Sequence, residues 1–163
     1  MNKGIIMSED IHYTAEYETI EDMQNLLEAN VNIDSLNEFG STPLHSAIGH
    51  DKTEMALFLL NKGSNPTLQS NMGYTALHKA VLYSNLEVAE AILKKCPEVV
   101  NIESEVYGTA LLQAIGEDNR SPYSMIKLLL AHGANKQDKS LEASIKARDI
   151  DELTKLFEDS GGN

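Results

Sequence analysis

The sequence predicts an all-α solenoid of about five helix–turn–helix units with short β-hairpin-like connecting loops. Three observations predict it. The segment Gly40-Ser41-Thr42-Pro43-Leu44-His45-Ser46-Ala47 returns 33 residues later as Gly73-Tyr74-Thr75-Ala76-Leu77-His78-Lys79-Ala80. Paired apolar residues keep the same period, as Leu26-Leu27, Leu59-Leu60 and Ile92-Leu93. Between these landmarks the apolar residues recur at helical spacing. A fixed period of this length marks stacked units, each too small to bury its apolar face alone.

Stepping back one period from Leu44-His45 gives Ile11-His12 for the first unit. Its second helix is residues 20–29, with Ile20, Met23, Leu26 and Leu27 inward and Asn30 closing it. In the second unit Thr42 caps the first helix, because its side-chain oxygen accepts from an orphan amide of the first turn. Pro43 follows at the first helical position, where it loses no hydrogen bond. Leu44, Ala47 and Ile48 make the inward stripe, and Met55, Ala56, Leu59 and Leu60 make that of the second helix. Gly63 ends this helix in a left-handed conformation. The third unit repeats the pattern from Thr75 but ends in Cys96-Pro97, and Pro97 cannot continue a helix, so an irregular turn is expected.

The fourth unit begins Tyr107-Gly108-Thr109-Ala110-Leu111-Leu112-Gln113-Ala114, 34 residues after the third, so one residue is inserted near Pro97. Its internal loop, residues 116–124, is three residues longer than in the second unit, and Gly133 closes it. A last pair of helices is expected over 140–160, with Leu141, Ile145, Ile150, Leu153, Leu156 and Phe157 inward. The helix pairs are thus about 9–30, 41–63, 74–96, 108–133 and 140–160. They form one domain over 9–160, with units of about 9–36, 37–69, 70–102, 103–139 and 140–160. Residues 1–8 read as a disordered stub and 161–163 as a tail.

Thr42-Pro43-Leu44-His45 and, with Ala for Pro, Thr75-Ala76-Leu77-His78 carry a family resemblance. At this period they resemble ankyrin repeats, over roughly residues 9–160. Thr109-Ala110-Leu111-Leu112 departs further, having lost the His. The resemblance implies that the motif histidines, His45 and His78 with His12 aligned to them, tie neighbouring turns together by hydrogen bonds. It also implies a non-enzymatic protein-binding module, an adaptor or inhibitor, that binds through its hairpin tips and the concave face of its first helices.

Composition narrows the rest. The net charge of −12 argues against direct nucleic-acid binding, which calls for a basic face. No apolar run approaches the ~20 residues of a membrane helix. The N-terminus carries only Ile5-Ile6-Met7 as an apolar stretch, too little for a secretory signal, so a cytoplasmic protein is expected; Met7 is an alternative start. One cysteine, Cys96, excludes an internal disulfide and a thiolate metal site. No P-loop, nucleophile elbow, GxGxxG or HExxH occurs. No catalytic residue, metal or cofactor is therefore expected, and the chain reads as a monomer on its own.

Acidic charge gathers at the start, where residues 1–36 hold eight acidic residues and one basic. Capping units need a charged outer face, and such charge also steers a basic partner. This supports a second reading, an immunity protein or antitoxin neutralising a basic effector such as a toxin enzyme. A third is a small-ligand-binding protein or enzyme using His50, Asp51, Glu16 and Glu117 on the concave face. Carrying the family's binding positions across this chain selects Glu38, Phe39, Met72, Tyr74 and Glu105 at the tips. It selects Tyr17, His50, Leu82, Tyr83 and Glu117 at the ends of the first helices, with Tyr13, Lys79 and Gln113 further along. Phe39, Met72, Tyr74, Leu82 and Tyr83 form an apolar and aromatic series where solubility alone favours polar groups.

Overall fold

The computed structural model describes residues 10–116 and 123–136, together with Lys155 and Phe157. Among the described residues, four antiparallel helix pairs follow one another: α1 (Ile11–Tyr17) with α2 (Ile20–Glu28), α3 (Pro43–Gly49) with α4 (Thr53–Lys62), α5 (Ala76–Leu82) with α6 (Leu86–Lys95), and α7 (Ala110–Ile115) with α8 (Tyr123–Ala131). The first helices pack in series, α1 on α3, α3 on α5 and α5 on α7; α4, α6 and α8 form the second row. The expected fifth pair, the stub and the tail lie outside the described residues, apart from Lys155 and Phe157.

The core lies between the two rows. Leu44, Leu59, Leu77, Ile92, Leu111 and Leu129 are completely buried, two from each of three consecutive units. Burying such a side chain stabilises by about 1.5–3 kcal/mol. Each first helix is only six or seven residues long, too short to persist alone, so this packing holds it.

Caps set where the helices start. Thr42 Oγ1 accepts from the His45 amide at 3.4 Å, and the Thr42 amide donates back to His45 Nδ1 at 3.2 Å. Thr75 and His78 make the same reciprocal pair at 3.4 and 3.2 Å. Because Nδ1 accepts, Nε2 carries the hydrogen in each ring. It donates forward, His45 to the Tyr74 carbonyl and His78 to the Gly108 carbonyl, both at 2.9 Å. His12 differs: its Nδ1 lies 3.4 Å from Ser46 Oγ, a side chain of the next unit.

The helix ends depart from right-handed geometry where expected: Asn30 has φ 64°, Gly63 101° and Gly133 84°. The third unit lacks this device. Cys96 stays at φ −144° and a short 3₁₀ turn, Pro97–Asn101, takes up the inserted residue. Asp51 and Ser84 also take positive φ, 56° and 55°, between the two helices of their units. Serine tolerates this conformation less well than Asn or Asp. Ser84→Gly is therefore expected to stabilise by about 0.5–1 kcal/mol and raise the melting temperature a few degrees, with Asn30→Gly close to neutral. Thermal unfolding of the two variants checks this ranking.

Candidate functional site

The tips are built by side-chain and backbone bonds that leave one residue of each pointing outward. In the first, Asn37 Oδ1 accepts from the amides of Phe39 and Ser41, both at 3.0 Å, and the Gly40 amide donates to the Asn37 carbonyl at 2.9 Å. In the second, the Gly73 amide donates to the Ser70 carbonyl at 2.8 Å. Adjacent tips are stitched together: the Asn71 amide donates to the Phe39 carbonyl at 3.0 Å, and the Glu105 amide to the Met72 carbonyl at 3.3 Å. Phe39, Met72 and Val106 then stand in a row, exposed by 66%, 52% and 50%. Glu38 and Glu105 flank this row on exposed backbone.

The third tip is built differently. Two-residue strands, β1 (Glu103–Ser104) and β2 (Gly108–Thr109), pair antiparallel with Ser104 opposite Gly108. Gly108, at φ 65°, supplies the left-handed residue one position nearer the capping Thr than Gly73 does. Tyr107, two residues before the capping Thr as Gly40 and Gly73 are in their units, stacks towards Tyr74 with ring centroids 6.2 Å apart.

On the first-helix face Tyr17, His50 and Tyr83 occupy one position of the repeat, at or just past the ends of α1, α3 and α5. The Tyr17 and His50 rings meet edge to face at 5.4 Å, and Tyr13 leans on Tyr17 at 5.0 Å. His50 is oriented by its own helix, with Nδ1 3.0 Å from the Ser46 carbonyl; Nε2 lies 3.7 Å from Glu16. The Tyr83 hydroxyl reaches back towards Gly49, 4.0 Å from where a Cβ would stand. Lys79 Nζ sits 5.9 Å from the centres of both the Tyr83 and the Tyr74 rings. Desolvation by burial lowers the Lys79 pKa. An aromatic strip thus runs across three first helices, with Glu16 near one end and Lys79 near the other.

Three of the expected residues stand apart from this description, among them Gln113, which is 2% exposed and not on an open face. Tyr74 is a correction to the expectation of an exposed anchor: it is 8% exposed, because its ring fills the seam against His78, Tyr107 and the Lys79 ammonium. Glu117 lies outside the described residues. Tyr17, Leu82 and Tyr83 are exposed, and the His50 side chain is 42% exposed. Tyr13 and Lys79, secondary in the sequence reading, prove to be members of the strip.

A family model described as ankyrin repeats (three copies) matches residues 11–106, more than half of the chain. The chain belongs to the ankyrin-repeat family. The ankyrin match stops just before α7, the unit whose Thr109-Ala110-Leu111-Leu112 has lost the His. The chain is also similar to the human transient receptor potential cation channel subfamily A member 1, with 32% identity over 126 residues. That stretch covers 76% of this chain and 11% of the channel, so the chain spans a small part of the relative's length. Ankyrin repeats are generally protein-interaction modules.

Other chemistry has little footing among the described residues. No group of three His, Cys, Asp or Glu side chains is placed to hold a metal ion, and no helix is long and apolar enough to cross a membrane. Burial pushes the Cys96 thiol up to about 11, with the neighbouring Glu98 adding to the shift, so little reactive thiolate exists at neutral pH.

Proposed function

We propose that this chain is a non-enzymatic protein-binding module whose partner lies across the hairpin tips and the first-helix face. The observation that carries the reading is the strip of Tyr17, His50 and Tyr83 beside the exposed row of Phe39 and Met72. These positions are free of packing duty, and exposed aromatic residues grouped in this way typify binding hot spots. The charge favours a basic partner: the chain is −12, and Glu16, Glu38 and Glu105 flank the two rows. In its sharper form the chain is an inhibitor that covers a basic effector, as an immunity protein or antitoxin would.

The test is binding kinetics with a partner recovered from source cells, at two salt concentrations. Leu82→Ala with Tyr83→Ala is expected to weaken affinity by roughly 30-fold or more, mainly through faster dissociation. Glu16→Gln with Glu38→Gln is expected to slow association instead and to flatten its salt dependence. Normal binding by the first pair, with loss on changing exposed residues of α4 or α6, would place the partner on the opposite side and refute the proposed surface.

A further inference from the structure

The strip carries opposite charges at its two ends, and this narrows the kind of segment it fits. At one end the Glu16 carboxylate lies beside the Tyr17 and His50 rings, with Tyr13 behind Tyr17. Rings beside a carboxylate suit a cationic side chain, which gains both from the ring faces and from the negative charge. At the other end Lys79 is half-buried between the Tyr74 and Tyr83 rings. Among the described residues it has no carboxylate within ion-pair distance, the two pairs there being His50–Glu16 and Lys94–Glu90. Among the described residues, nothing anionic offsets the partial desolvation of this ammonium, and a ligand carboxylate would do so. The direction of its titration agrees, since burial lowers the Lys79 pKa.

Resting on the protein-binding reading above, we infer that the first-helix face takes an extended peptide segment bearing a Lys or Arg over Glu16, Tyr17 and His50 and a carboxylate on Lys79. The spacing between the two follows from the stack. Glu16 belongs to α1 and Lys79 to α5, with α3 between them. Packed helices lie 8–10 Å apart, so the two groups are separated by roughly 18 Å. An extended chain rises about 3.3 Å per residue, which puts the basic and acidic side chains about five or six residues apart, in either chain direction. The intervening side chains lie over the strip, past the Tyr83 hydroxyl that reaches towards Gly49. A basic partner therefore needs one acidic residue at a defined distance from one of its basic ones, and uniform basicity is not enough.

The probe is a phage-displayed library of random 12-residue peptides selected on the full chain. The expected result is enrichment, several-fold over the starting library, of peptides pairing Lys or Arg with Asp or Glu five or six residues apart. Selection on Glu16→Lys should lose the basic member while keeping the acidic one. Selection on Lys79→Glu should lose the acidic member, and Lys79→Met should weaken that preference without replacing it. Circular dichroism confirms that each variant is folded, and the neutral variant keeps the test decisive if the charge reversal is not. Enriched peptides without the pair, a selected set unchanged by either charge variant, or no enrichment at all would overturn the inference. Peptides that bind the unaltered chain and are lost on Phe39→Ala with Met72→Ala, yet ignore Glu16 and Lys79, would overturn it too while leaving the protein-binding reading standing.

Discussion

Gly73→Val is expected to destabilise the protein by about 3 kcal/mol, the sum of a left-handed backbone conformation forced on a β-branched residue and a steric clash. Gly73 has φ 75°, and a Cβ there would stand 2.9 Å from the Glu105 amide nitrogen and 3.1 Å from Ser104 Cα. Those atoms are backbone of the next tip and cannot rotate away. Moving them would also break the bond from the Glu105 amide to the Met72 carbonyl, which stitches the two tips together. Gly63 isolates the first of these effects. It has φ 101° with nothing within 4 Å of its Cβ position, so Gly63→Ala loses only the conformational part, about 1 kcal/mol, and Gly63→Val somewhat more. Urea unfolding of Gly73→Val, Gly73→Ala and Gly63→Ala measures the difference. Equal losses at positions 73 and 63 would mean that the neighbouring tip yields and that tip contact contributes little.

Acid is expected to cost about 3 kcal/mol of stability through His45 alone between pH 6.5 and 4, most of it above the range where carboxylates titrate. Desolvation by burial is the main cause holding the His45 pKa down to about 4, with the nearby Lys79 charge adding to it against the opposing bond to the Tyr74 carbonyl. The unfolded chain takes up this proton near pH 6.5. Between about 6.5 and 4 the unfolded state therefore binds a proton that the native state refuses, and stability rises with pH across that window. The contribution is fully present above pH 6.5, falls as the pH drops, and is exhausted below about 4. His78 is lowered in the same direction, again by burial, and adds to the slope. Each histidine contributes up to about 1.4 kcal/mol per pH unit. Urea unfolding at pH 7.5, 6 and 5 should show the loss, and His45→Gln, although less stable throughout, should show a visibly shallower slope. An unchanged slope in that variant would mean that His45 is protonated in the native protein.

The repeat and its helix boundaries were legible because period, caps and apolar stripe all point the same way. Thr42, Pro43, Leu44 and Gly63 each occupy a place that few other residues fill as well, so one sequence specifies the local geometry. The binding face was less legible. Tyr74 and Tyr83 are the same residue type at positions the repeat leaves free, yet one is buried and the other exposed. Tyr74 is covered by His78, Lys79 and the Tyr107 ring of the next unit, whose tip turns at Gly108. That contact depends on the altered third tip, which the first two tips do not foreshadow. The signal for Tyr13 and Lys79 was available, since both occupy the same repeat position as Ser46. What was hidden is that the Tyr83 hydroxyl reaches back towards Gly49 of the preceding unit. The positive φ of Asp51 and Ser84 was also missed, because neither residue announces a left-handed turn as glycine does.

The hydrogen bonds between units span a narrow range of the chain, from 29 residues for His45 to the Tyr74 carbonyl to 35 for Lys95 to the Leu60 carbonyl. The element pairs with substantial packing likewise belong to the same unit or to neighbours. Order can therefore spread by short steps, because no stage of folding has to bring the two ends of the stack together. The entropy of closing a loop rises with loop length, and here the loop to be closed is one period however many units follow. Folding is then expected to begin in the second and third units, where the two histidine ties and the best-matched caps coincide, and to grow outward. Opening runs in reverse: backbone amides of α1 should exchange with solvent before those of α3 and α5, and a ligand lying across three first helices would hold the first unit shut.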